Sequence, residues 1–442
     1  MNLSSDIFHT YVFPILFAVI IVALLPLVAG YIVLLERKVM ADMQARLGPM
    51  RVGPHGLLQP IADAVKLLIK EDIIPESADK VIFWLAPVLS VTAAMLAYAA
   101  IPFGPTFQIA DLNIGLLFIL GISSMGIYGI VLGGWASNSH YSLLGALRSA
   151  AQLVSYETAG GLALISALLM GGSLSMRTLV EAQERQGVWF AFYVPIGFFI
   201  YLVASIAETN RAPFDLPEAE SELVAGYMTE YSGFRWALYF LGEYANMIVV
   251  AGIGTTVFLG GWLRPLASFQ AHLPGTSIEL LDLVPSLLFL GVAGYCFSLT
   301  PKQPVQIQKG VMALFGFICL ALAGALALPL IPRFAGMMPG IHGAFWFLAK
   351  VAAYLYVFLW LRFTFPRYRF DQLMRLGWHF LVPLSLVNVL AVGIAVVLHQ
   401  EAGWGLWSAL IVTTVATLLV AAWLAVADER RATAPASTAG GD

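Results

Sequence analysis

With 442 residues, 60% of them hydrophobic and 11% charged, and a mean hydropathy of +0.84, the chain is too apolar for a water-soluble domain and reads as a polytopic membrane protein. Its formal net charge is −3, and no nucleic-acid partner is expected. Cys296 and Cys319 are the only cysteines, which excludes an iron-sulfur cluster or a Cys-based zinc site. The seven histidines show no paired helical spacing for a haem, and no Gly-rich phosphate loop follows a strand pattern. No metal, flavin or nucleotide is therefore expected on this chain, and any electrons must come from a partner.

Apolar stretches long enough to span a bilayer fall at about 8–36, 81–102, 112–136, 148–172, 188–208, 240–263, 280–299, 308–332, 342–363, 378–399 and 404–427. The predicted fold is an all-α transmembrane bundle of eleven helices. No basic segment precedes the first stretch, so it is expected to be a retained helix rather than a signal peptide. Placing the N-terminus outside puts 18 of the 23 Lys and Arg residues on the inner side, 4 outside, and Lys350 within a helix, which satisfies the positive-inside rule.

Residues 36–80 form the longest polar stretch. Gly48, Pro49, Gly53, Pro54 and Gly56 interrupt any helix and predict a tightly turned loop. From Leu57 to Glu71 the pattern turns amphipathic, with Gln59, Asp63, Lys66 and Lys70 on one face and Leu57, Ile61, Val65 and Leu68 on the other, as in a helix lying on the membrane surface. A plain interfacial helix explains this equally well; Asp63 beside Lys66 tips the reading toward a site.

Two acids lie inside apolar stretches, Glu157 in LVSYETAGG and Glu243 in LGEYANM. Burying an ionised carboxylate there costs at least a few kcal/mol, so each is expected to be neutral, paired or beside water, with Lys350 as a possible partner. Between them, Glu208, Asp215, Glu218, Glu220, Glu222 and Glu230 fall within 23 residues, with only Arg211 to compensate. Crowding and apolar surroundings both favour the protonated form, so these groups suit proton transfer. A solvated acidic loop is the plain alternative. Pro213 and Pro217, the interleaved Phe214, Leu216, Leu223 and Val224, and the nearby Glu243 weigh against it. Downstream, Arg362, Arg367, Arg369 and Arg375 read as an inner-side anchor, and Arg367 and Arg369 are placed to neutralise the acidic loop.

The strings ERKVMADMQARLGP, GLLQPIADAVKLLIKED, SYET, ETNRAPFDLPEAESELVAGYMTEYSGF, GEYANM and TFPRYRFDQLMRLGW resemble the quinone-site membrane subunit of respiratory complex I, the proton-pumping NADH:quinone oxidoreductase, through residues 1–263 and 342–399. The resemblance implies a membrane protein that binds quinone as substrate against the iron-sulfur subunits of the peripheral arm. It further implies contact with antiporter-like membrane subunits and lipid, in a bacterial inner membrane with the acidic loop cytoplasmic. Quinone-binding residues would then be Glu36, Arg37, Arg46, Arg51, Asp63, Arg211 and Asp215. The proton path would use Glu157, Glu208, Glu218, Glu220, Glu222 and Glu243. Relatives have about eight helices; here residues 1–263, with quinone-site loops 36–80 and 208–239, are followed by an inserted helix pair at 264–341, closing helices at 342–399, and an extra helix with a disordered tail at 400–442. Met50 stands where the family usually has asparagine. Two alternatives remain at this point: the equivalent subunit of a membrane-bound hydrogenase, and a stand-alone proton-coupled transporter, which would show internal repeats that are absent here.

Overall fold

The computed structural model describes residues 12–215, 225–265, 280–303, 305–330 and 340–433. In chain order its α-helices are α1 (Phe13–Met43), α2 (Gln59–Ile69), α3 (Lys80–Ala97), α4 (Gly115–Ala136), α5 (His140–Gly171), α6 (Met176–Gln186), α7 (Phe190–Tyr193), α8 (Pro195–Glu208), α9 (Gly233–Phe258), α10 (Leu280–Leu299), α11 (Gln306–Ala327), α12 (Ile341–Thr364), α13 (Phe370–Arg375), α14 (Val382–Glu401) and α15 (Leu406–Thr433). Among the described residues there is no strand, and ten helical segments are long and apolar enough to cross a membrane. The fold is a polytopic helical bundle.

The fifth expected span is the exception. Instead of one helix over 188–208, a four-residue turn, α7, is followed by a break at Val194 and then by the 14-residue α8. Pro195 causes the break, because a residue before proline is pushed out of helical geometry; Val194 has φ −126° and ψ 62°. At 1.5 Å per residue α8 is about 21 Å long, short of the roughly 30 Å hydrocarbon layer. Sequence reading also missed α6. Ser175 caps its first turn by accepting from the Thr178 N–H, and Gly187 ends it in the left-handed region at φ +69°. Met176, Leu179 and Val180 are its buried face. The helix α5 begins at His140, earlier than the apolar stretch suggests, so its first turns lie where the polar loops gather.

Close helix crossings depend on small residues. A Cβ on Gly129 of α4 would come within 2.9 Å of the Ala86 carbonyl of α3, and one on Gly145 of α5 within 2.7 Å of Gly226 Cα. The long loops share one end of the bundle: Asp79 N–H donates to the Ala136 carbonyl, Ile73 N–H to Ser232 Oγ, and Arg235 pairs with Asp72 at 2.9 Å. At the opposite end Arg177 pairs with Glu181 at 3.0 Å and lies 3.9 Å from Asp111.

Buried Tyr156, Tyr201, Phe258, Phe347 and Phe358 belong to the larger core, and Phe83, Tyr227, Tyr231 and Tyr239 to a second one under the loop end. Outward faces are apolar as well, for example Leu418, Leu419 and Trp423 of α15, which suits contact with lipid rather than water. The hairpin of α10 and α11 touches α12 through Phe289 and Phe345, and α1 through Phe315 and Tyr31.

Candidate functional site

Four groups of charged side chains lie where α1, α9 and α12 meet the loop end. Glu36, near the end of α1, is 7% exposed. Its Oε2 accepts from the Tyr244 hydroxyl at 2.6 Å, and its Oε1 is ion-paired with Arg362 of α12. A buried carboxylate with a cation and a hydroxyl on separate oxygens is fully committed, which is how charge persists in an apolar setting.

Arg37 faces away from Glu36 and pairs with Asp63 of α2 at 2.9 Å; Gln59 donates to the other Asp63 oxygen at 3.0 Å, with Lys66 Nζ at 3.7 Å. These contacts hold the amphipathic α2 against α1 through its predicted polar face. Above it, α1, α2 and α9 enclose a cavity of about 440 Å³, lined mainly by apolar residues such as Val33, Leu67, Trp236 and Leu241, with Arg37, Gln59 and Asp63 on its polar edge. That volume is in the range of small-molecule sites.

On α9, Glu243 Oε1 accepts from the Tyr227 hydroxyl at 3.0 Å and its Oε2 lies 3.4 Å from Arg211 Nη2. The Arg211 guanidinium also sits over the Tyr244 ring, 4.4 Å from its centroid. Tyr244 therefore touches both groups, Glu36 through its hydroxyl and Arg211 through its ring face. Beyond Glu243 lies a cavity of about 60 Å³ with a mixed wall, in which Ser90, Glu157, Glu208, Asn210, Glu243 and Asn246 are among the polar groups, beside apolar ones such as Ile127, Ile130 and Leu153. It has room for several waters, each needing on the order of 10–15 Å³. A further pocket of about 10 Å³ joins Glu157 and Glu208 beside Tyr201.

Asp215 forms the fourth group, 3.0 Å from Arg367. Among the expected quinone residues, Glu36, Arg37, Asp63, Arg211 and Asp215 are thus drawn to this end of the bundle and paired. Arg46 is exposed on the turned loop, with its Nε on Gln44 at 2.6 Å, and Arg51 is exposed beside it. Of the acids expected on a proton path, Glu157, Glu208 and Glu243 share a cavity, whereas Glu218, Glu220 and Glu222 lie outside the described residues.

Lys350 is not the partner of either intramembrane acid. Its Nζ donates to the carbonyls of Leu259, Gly261 and Leu263 at 2.6, 3.0 and 2.6 Å, and lies 4.6 Å from the Trp189 ring centre. Those carbonyls are released where α9 ends, and an ammonium has three donors to match them. Tyr227, Tyr244 and Arg362 were missed as site residues. Tyr244 stands next to Glu243 in sequence, so its neighbourhood was available as a signal; the pairing of Arg362 with Glu36 spans 326 positions and has no local signature.

The family model described as NADH dehydrogenase matches residues 15–393. The second NADH-quinone oxidoreductase H subunit of Solibacter usitatus is 53% identical over 387 residues, covering 86% of this chain and 96% of that protein. The chain belongs to the family of NADH-quinone oxidoreductase H subunits. The first H subunit of Koribacter versatilis is 52% identical over 381 residues, covering 83% of this chain and 87% of its own length. The H subunit of Magnetococcus marinus is 42% identical over 386 residues, covering 87% and 92% respectively. As a member of this family the chain is a multi-pass membrane component of an oxidoreductase complex, and its partners include the other subunits of that complex.

Proposed function

We propose that this chain forms the membrane-side wall of a quinone tunnel and the first part of a proton-coupling path. The observation that carries this reading is a nearly continuous series of polar contacts from the loop end into the bundle: Arg362 to Glu36, Glu36 to Tyr244, Tyr244 beneath Arg211, Arg211 to Glu243, then a cavity shared with Glu208 and Glu157. The apolar cavity between α1, α2 and α9 suits a lipid-soluble ring and the start of its tail, and Arg37 and Asp63 give it a polar edge.

Reduction of a quinone takes two electrons, supplied by an iron-sulfur subunit of the peripheral arm, and two protons. Negative charge arriving at the polar edge of the apolar cavity, where Arg37 is the next residue to Glu36 on α1, disturbs a buried arrangement already in balance, and Tyr244 links Glu36, bonded to its hydroxyl, with Arg211, which lies over its ring. A weaker hold of Arg211 on Glu243 favours protonation of that carboxylate. Water in the shared cavity then connects Glu243 with Glu208 and Glu157, from which protons pass toward the antiporter-like subunits. Glu218, Glu220 and Glu222 are proposed to extend the path on the loop side.

In this reading residues 1–263 and 342–399 carry the site, with quinone-site loops 36–80 and 208–239. The helix pair within 264–341 and the C-terminal helix within 400–442 are additions. The chain sits in a bacterial inner membrane with its N-terminus outside and the acidic loop cytoplasmic, consistent with the positive-inside count. The test is the pair Glu157→Gln and Glu243→Gln in the assembled complex. Loss of proton pumping is expected in both; wild-type pumping and quinone reduction in both would remove the intramembrane acids from the path.

A further inference from the structure

Gln152 of α5 is fully buried, and the proposed path makes no use of it. Its Nε2 donates two hydrogen bonds of 2.8 Å, one to the Ala207 carbonyl and one to the Phe214 carbonyl. Two carbonyls facing one amide settle which of its atoms is nitrogen, since an oxygen there would repel both. Those carbonyls bracket a single turn of chain. Glu208 follows Ala207 directly, Asp215 follows Phe214, and Arg211 lies between.

The same turn is held elsewhere too, by the Arg211–Glu243 and Asp215–Arg367 ion pairs and by contacts of its backbone and rings. Asn210 adopts the left-handed region at φ +51°, which asparagine tolerates. Phe214 lies between the rings of Tyr156 and Tyr368, 5.6 Å from each, and the Tyr368 N–H donates to the Pro213 carbonyl at 3.1 Å. Gln152 bonds both ends of the turn to α5, the helix that also carries Glu157 five residues on.

We propose that Gln152 is a positioning residue that holds Glu208, Arg211 and Asp215 as one rigid unit relative to Glu157. The proposal rests on the function argued above. Without the two bonds the ends of the turn separate, and a charge change sensed at Asp215 or Arg211 is absorbed by loop motion before it reaches Glu208.

The test uses the complete complex in inverted membrane vesicles, reading quinone reduction and protons moved per electron, each per assembled complex. Gln152→Met keeps the length of the side chain and removes both donors. Its kcat is expected to fall about tenfold or more with KM within about twofold, together with fewer protons per electron. Gln152→Glu supplies a donor only when protonated. Its activity is expected to fall as pH rises, over a range in which wild type and Gln152→Met show no such step. A residue that only fills space would change the amount of complex without producing that pH profile.

Wild-type kcat and coupling in assembled Gln152→Met would overturn the proposal. If Gln152→Met does not assemble, a Gln152→Glu profile identical to wild type overturns it instead. Glu208→Gln and Glu243→Gln in the same vesicles separate the two levels. Unchanged pumping in both sinks the acid path itself, whereas lost pumping there with a normal Gln152→Met sinks only the role of Gln152.

Discussion

The Tyr244 hydroxyl donates to Glu36 at 2.6 Å while the ring face receives Arg211, so one side chain joins two charge pairs. Tyr244→Phe keeps the ring and removes only the bond. A hydrogen bond to a charged group contributes about 1.5–3 kcal/mol; because this bond strengthens as charge develops on the reduced quinone, its loss is expected to lower quinone turnover by up to roughly 10- to 150-fold. Steady-state turnover of the assembled variant checks this. Lys350 gives the opposite expectation. Its three bonds go to carbonyls at the far end of α9, away from the acids, so Lys350→Met should lower stability by on the order of 3 kcal/mol and leave turnover per surviving complex at the wild-type level. Thermal denaturation together with activity per complex separates these effects.

Among the helices, one tight constraint near the site is the contact of α5 with the turn Gly226–Met228, which carries Tyr227 to Glu243. Gly145→Ala would place a methyl 2.7 Å from Gly226 Cα, and backbone on both sides leaves little room to yield. Overpacking of this kind costs about 1–3 kcal/mol, so the variant is expected to melt lower and to pump less as Tyr227 is displaced. Melting of the purified complex and pumping in vesicles measure the two. The spans were legible because a bilayer demands long apolar runs, and the amphipathic α2 was legible because its polar face recurs at helical spacing. The break at Pro195 and the surface helix α6 were not. One hides within an apolar run, and the other is too polar to register as a span although its capping residues, Ser175 and Gly187, were in plain sight. At the site, residue types and segments were legible and partners were not. The polar contact of Asp63 with Lys66 was legible because the two are near in sequence, while the partners of Glu36 and Lys350 lie hundreds or tens of positions away and depend on how the bundle closes.

Across the whole molecule, only 11% of the residues are charged. Lys350 apart, the groups named inside the bundle run as one series from the loop end, where Arg362 and Glu36 meet, to the cavity of Glu208 and Glu157, and apolar residues surround them. Charge in such a setting is weakly screened, so under the proposed function a reduction event at one end would be felt along the series. The most direct measurement is redox-induced infrared difference spectroscopy on the assembled complex during quinone reduction. Wild type is expected to show a carboxyl C=O band appearing or shifting with reduction, and Glu243→Gln is expected to lose it. A wild-type spectrum with no carboxyl change, or a band that persists unchanged in Glu243→Gln and Glu208→Gln, would contradict a proton path through these acids.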